Sequence, residues 1–169
     1  LGVLAAKLAK LSGAAKVFIT GRKDAKLKVA LAFGADVAIN TTRESVAAVL
    51  ARHTANGKVD RVVETSGSIE LLLQSLDLVH TGGTIAAVAF YDRTIDNLEI
   101  DKLVFGQINL VGASGSTGAY LPVIALMASG ALDIAPLISG RYPLKDILQG
   151  YRDMKERNDI RIKWLVESE

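Results

Sequence analysis

Short β-rich runs alternate with helical patterns along nearly the whole chain, usually with a glycine between them, and few architectures accept that order. Residues 2–12 are apolar and alanine-rich, with Leu4, Leu8 and Leu11 at helical spacing and Gly13 as the stop. Residues 16–20 read as a strand, 24–33 as a helix stopped by Gly34, and 37–40 as a short strand. A helix over 45–53 ends before the Asn56-Gly57 turn. The next strand covers 61–65, followed by a leucine-rich helix over 68–79 capped by Ser68. Gly82-Gly83 then turns the chain into a nearly continuous apolar strand at 84–89, of the kind buried on both faces. Strands at 108–113 and 161–166 and helices at 120–129 and 144–156 complete the order. This pattern predicts an α/β fold: a doubly wound, mostly parallel sheet with helices on both faces. Such a sheet normally opens with a strand, a glycine turn and only then a helix, whereas here the helix comes first. We therefore expect the first, central strand to lie upstream, in a longer parent protein.

Half of the 169 residues are hydrophobic and 22% are charged, with a formal net charge of +2, which suits one domain with a real core. Charge this balanced, with only 5% aromatic residues and no basic run, argues against nucleic acid as a partner. There is no cysteine, hence neither a disulfide framework nor a thiolate metal site, and His53 and His80 are the only histidines. No apolar run of membrane-spanning length and no signal peptide is visible, so the expectation is a cytoplasmic protein with no membrane partner.

The stretch LGVLAAKLAKLSGAAKVFITGRKDAKLKVALAFGADVAIN is followed in order by VDRVVETSGS, HTGGTIAAVAF, INLVGAS and IRIKWLV. Taken together these segments resemble the nucleotide-binding half of the medium-chain dehydrogenases, of the zinc-type alcohol, polyol and threonine group. The resemblance covers essentially the whole chain and lies in the combination, since no single motif is specific. It implies a Rossmann-type domain, residues 1–169, that binds a dinucleotide for an oxidoreductase moving hydride between NADP(H) and an alcohol or polyol carbon. NAD is the alternative cofactor. The N-terminal catalytic domain, with any zinc and the proton relay, is expected outside this chain, so no catalytic or metal-binding residue is assigned here. The alternatives are a zinc-free quinone reductase of the same superfamily and a non-catalytic dinucleotide-binding module.

Site residues follow from that resemblance position by position. Gly2 matches the third glycine of GxGxxG, which places Leu1 and Gly2 at the pyrophosphate, on a helix N-terminus. The strand before residue 21 would usually end in an acid that bonds a ribose 2′-hydroxyl, but Gly21 stands there, followed by Arg22 and Lys23. Glycine removes the charge and opens space, Arg22 offers a planar donor fork, and Lys23 and Lys26 add mobile charge, a set suited to a 2′-phosphate. The plain alternative is a solvated helix start, although cations there oppose the helix dipole. Thr65 and Ser66 match a turn lining the adenine ribose; Val88, Ala89 and Phe90, with Ala113 and Ser114, match backbone segments at the nicotinamide. Lys163 matches a basic contact to the pyrophosphate, with Arg161 as the competing assignment.

Other features are set aside. Glu64 lies at a strand end with no partner acid nearby in sequence, and residues 112–118 lack the lysine of a P-loop. Tyr151 and Lys155 spell the YxxxK of short-chain dehydrogenases, but on a charged final helix. The resemblance also makes residues 108–111 the edge of a homodimer, or of a homotetramer built from one, with a small alcohol or polyol as substrate.

Overall fold

The computed structural model describes residues 1–115, 118–155 and 162–168. The fold is α/β of the Rossmann type, as expected, and each strand pairing is parallel. Hydrogen bonds gather the strands into three sets, β1–β2, β3–β4–β5 and β6–β7. Two compact units divide the chain, one of Leu1–Ala5 and Thr41–Thr117, the other of Ala6–Asn40 and Gly118–Glu169, with the first boundary inside helix α1 (Gly2–Leu11).

The second unit holds β1 (Phe18–Gly21), α2 (Asp24–Ala32) and β2 (Val37–Asn40). Leu27 and Ala30 of α2 are buried with Ile39 of β2, so the crossover helix packs on its own strand pair. The strand begins two residues later than the sequence suggests. Val17 N–H bonds the Asp36 carboxylate at 2.6 Å, and Lys10 Nζ reaches the same group at 3.1 Å. That corner engages the chain before the ladder starts. The same unit carries α6 (Tyr120–Ala128), β6 (Ile138–Pro143), α7 (Ile147–Lys155) and β7 (Lys163–Glu167). Tyr142 of β6 stacks on Trp164 of β7 with centroids 4.8 Å apart. A 3-10 turn at Leu144–Asp146 precedes α7, and residues 156 and 161, placed in a helix and a strand by the sequence, lie outside the described residues.

The first unit is built on β3 (Val59–Glu64), β4 (Val79–Ala87) and β5 (Asn109–Gly112), with α3 (Val46–His53) ahead of them and α4 (Ile69–Leu78) and α5 (Ile100–Gly106) between them. Ser45 and Ser68 cap α3 and α4, each accepting a backbone N–H at 3.2 Å. Leu72 and Leu76, one turn apart on α4, join Val79 and Ile85 of β4 in the core. Helix α5 and strand β6 escaped the sequence reading. The helix has seven residues, no side-chain cap bond, and ends at Gln107 in the left-handed region without a glycine. Strand β6 carries Gly140 and Pro143, which mask its pattern.

The Gly82-Gly83 pair does not start β4, as expected from the sequence, but lies inside it. Val59 pairs with Val79 and Arg61 with Thr84, so β4 uses three more residues than β3 over the same step. The extra chain bulges out. Gly82 supplies a φ of +79°, and a Cβ on Gly83 would fall 2.8 Å from the Asp60 carbonyl oxygen and 2.3 Å from Val79 Cγ2. We expect Gly83→Ala to destabilise the intact protein by about 1–3 kcal/mol, the usual range for overpacking. Urea unfolding checks this; an unchanged midpoint would show that the bulge can relax around a methyl group.

Candidate functional site

In the first unit three candidate segments leave the sheet side by side. Glu64 pairs with Ala87 and Ala87 with Gly112, so β3, β4 and β5 end in register. The ladder runs one step further, through Val88 N–H to the Glu64 carbonyl and Ala113 N–H to the Ala87 carbonyl, both 2.9 Å. Thr65-Ser66, residues 88–90 and Ala113-Ser114 therefore share the carboxyl edge of one parallel sheet, where open α/β sheets bind ligands. Thr65, Val88 and Ala89 are half-buried, while Ser66, Phe90, Ala113 and Ser114 are exposed.

Glu64 organises this edge. The residue is 6% exposed. Its Oε1 accepts from Ser66 N–H at 2.7 Å and from the Ser66 hydroxyl at 2.5 Å. Its Oε2 accepts from Gly67 N–H at 3.1 Å and from the Tyr91 hydroxyl at 2.6 Å. Burial pushes the carboxyl pKa up, but these donors, Ser66 and Tyr91 foremost, outweigh burial and hold it below the ordinary value. Tyr91 is displaced the other way: burial, then the bond to Glu64 and its charge, raise the phenol far above its usual range. Glu64 is thus an ionised tie with its oxygens engaged, consistent with setting it aside as a catalytic acid. Ser66 serves the same turn, because its hydroxyl also accepts from Ser68 N–H at 3.2 Å. Gly67 is required twice over, by a φ of +78° and because a Cβ there would sit 2.5 Å from the Phe90 carbonyl oxygen. Tyr91 and Gly67 were not legible as site residues: Tyr91 meets Glu64 across 27 positions of sequence, with no local signal.

The second unit presents the turn after β1. Arg22, Lys23 and Lys26 are exposed. Lys23 is the N-cap residue of α2, in extended conformation, and its side chain makes no capping hydrogen bond. Arg22 and Lys23 thus directly precede a helix N-terminus, the end of a helix that favours an anion. Gly21 has a packing reason as well: a Cβ would meet Leu27 Cδ2 at 3.1 Å. Asp24, read from the sequence only as the helix start, accepts from Asn40 Nδ2 at 2.6 Å, tying α2 to the end of β2. Lys163 is exposed at the start of β7, and Arg161 lies outside the described residues. In the first unit, Leu1 is exposed and Gly2 opens α1.

Tyr151 is 58% exposed on α7. His80 directs Nε2 to Asp60 at 2.7 Å and Nδ1 to the Thr81 carbonyl at 2.6 Å. With acceptors at both nitrogens, Asp60 first, its pKa is raised and it acts as an ion-pair partner. Among the described residues no group of three or more His, Asp or Glu is placed to hold a metal ion, and the chain has no cysteine, so the residues described here do not fit a zinc site. No described helix is long and apolar enough to cross a membrane.

The family model described as Zinc-binding dehydrogenase matches residues 1–129. The chain belongs to that family. It is 28% identical to the D-arabitol-phosphate dehydrogenase of Enterococcus avium, over 99% of this chain and 48% of that protein. Among solved structures, benzyl alcohol dehydrogenase from Acinetobacter calcoaceticus superposes with a TM-score of 0.85 at 25% identity, covering 99% of this chain and 47% of the other. A zinc-binding dehydrogenase from Sinorhizobium meliloti 1021 bound to NADP gives 0.73 at 25% identity, covering 87% and 44%. The resemblance to medium-chain dehydrogenases is borne out, and the chain spans about half the length of the relatives it matches.

Because the folded pKa of Glu64 lies below the unfolded 4.5, its contribution to stability is present above 4.5 and lost as pH falls through the folded value. Glu64→Gln should cost roughly 1–3 kcal/mol at pH 7, the scale of disrupted buried hydrogen bonds. The gap to the unaltered protein should then narrow toward acid, where both side chains are neutral. Denaturant unfolding of the intact protein across that pH range reads this directly, and a gap independent of pH would contradict it.

Proposed function

We propose that this chain is the coenzyme-binding domain of a cytoplasmic oxidoreductase that moves hydride between NADP(H) and an alcohol or polyol carbon. One observation carries the reading: in a zinc-binding dehydrogenase family member, three candidate backbone segments converge on the carboxyl edge of a single parallel sheet. The cofactor supplies the hydride chemistry when bound, and the chain's task is to hold it. Residues 88–90 with Ala113 and Ser114 receive the nicotinamide end, Thr65 and Ser66 line the ribose, and Leu1, Gly2 and Lys163 meet the pyrophosphate. Gly21, Arg22, Lys23 and Lys26 take the adenosine 2′-phosphate.

Strand pairing supports the domain assignment. Doubly wound dinucleotide folds run in the order 3-2-1-4-5-6. Within their own units, the β1–β2 pair and the β3–β4–β5 set are each parallel with helices in the crossovers, as the βαβ pieces of such a fold are. We assign the catalytic domain, its zinc and the substrate contacts to the part of the relatives' length that this chain does not span.

The NADP assignment is tested by calorimetric titration of the intact protein with NADPH and NADH, alongside Arg22→Ala. We expect NADPH to bind about tenfold tighter or more, roughly 1.4 kcal/mol, and the variant to lose most of that margin. NADH binding as well or better would return Gly21 to its packing role beside Leu27.

The reading also makes β5 the edge of a homodimer, or of a homotetramer that contains it. All four residues of β5 are exposed, Leu110 and Val111 among them, and its shown pairing is to β4 alone. Ala113 N–H bonds β4, so by strand alternation Leu110 N–H faces away from β4, and Leu110→Pro removes a backbone donor from that open edge. Sedimentation of the variant should show subunits half the size of the parent assembly or smaller; an unchanged assembly would move the interface elsewhere.

A further inference from the structure

Beyond the end of β4 the ladder no longer holds the chain, yet residues 88–91 are fixed. Their last ladder bond is Val88 N–H to the Glu64 carbonyl. Phe90 offers no anchor, since it is 86% exposed. The chain then turns at Asp92, whose φ of +50° lies in the left-handed region that aspartate enters more readily than most residues. The residue that anchors the segment is Tyr91. Its ring packs against the cluster of Leu72, Leu76, Val79 and Ile85. Its hydroxyl donates to Glu64 Oε2 at 2.6 Å, a charge-assisted bond. Glu64 is itself clamped by Ser66 and Gly67, so the two loops are locked to one another. Packing alone would be served by phenylalanine; the hydroxyl adds a direction.

We propose that Tyr91 is a cofactor-positioning residue: through Glu64 it fixes the backbone of residues 88–90 in the conformation that receives the nicotinamide end of the dinucleotide. This rests on the coenzyme-binding reading above. Tyr91 touches no reacting atom and acts only through the segment it holds. Burial beside an ionised carboxylate raises the phenol pKa, which keeps the hydroxyl a donor at neutral pH.

The test uses the intact protein and pairs each cofactor with its nicotinamide-free counterpart: NADPH with 2′-phospho-ADP-ribose, NADH with ADP-ribose. For Tyr91→Phe we expect the preferred dinucleotide to bind about tenfold more weakly, the loss of one hydrogen bond to a charged group. Its nicotinamide-free counterpart should stay within about twofold, because the adenosine end does not use this segment. In a Glu64→Gln background the same substitution should add less than about twofold, since the tie is already broken. A merely structural role predicts instead that both members of a pair weaken together with the melting temperature, and that result, or no change in either, overturns the inference. Intact unaltered protein that binds none of the four compounds would overturn the coenzyme-binding reading and this inference with it. Binding by the unaltered protein with an indifferent Tyr91→Phe overturns the inference alone.

Discussion

A buried carboxylate at the end of β3 is the constraint on which the candidate site depends. An ionised group out of water is costly unless its lone pairs are met by donors, and Glu64 meets four, two on each oxygen. Three of those donors come from the turn that follows the strand, and the fourth arrives from beyond β4. The arrangement therefore does more than satisfy a charge. It makes the geometry of the 64–67 turn and that of the 88–91 segment one problem with one solution. Gly67 completes it, since only a residue without a Cβ lets the turn pass so close to the Phe90 carbonyl.

That economy explains why the side chains named at this edge look unremarkable in the sequence. Val88, Ala89 and Ala113 have nothing but backbone to offer a polar ligand, and their places are set by where three strands end in register. Parallel pairing supplies the alignment, and the Glu64 tie carries it past the last ladder bond. The side chain of Tyr91, tied to a carboxylate 27 positions away, then decides how rigidly the backbone beside it is offered.

The elements that read clearly from the sequence were those whose signals are local. Ser68 announced its helix by capping chemistry, and residues 37–40 their strand by a β-rich run between two turns. What stayed hidden depended on partners far along the chain. The bulge in β4 looked like a turn because Gly82-Gly83 is turn chemistry, and only the register with β3 shows the strand continuing through it. The early residues of β1 looked like strand, but Asp36 and Lys10 claim that corner first. Helix α5 was too short for periodicity to declare. At the site, Gly21, Arg22 and Lys23 were legible as a pattern, whereas the Glu64–Tyr91 bond, spanning 27 positions, left no trace in either neighbourhood.

The turn after β1 shows how one residue answers to two demands. Gly21 leaves room for a phosphate only if nothing else claims the space, and Leu27, buried one turn into α2, lies close enough to crowd any Cβ there. Glycine alone therefore does not argue for NADP. The weight shifts to what surrounds it: a helix N-terminus, exposed Arg22 and Lys23 before it, and a carboxylate, Asp24, that would oppose an anion. Asp24 accepts from Asn40 at 2.6 Å, which directs one of its oxygens to the end of β2 and fixes the carboxylate's orientation. The proposed anion site at this turn thus rests on a balance, two cations at a helix N-terminus against one tethered acid. Arg22, whose fork can grip a phosphate in two places, is the residue best able to decide it.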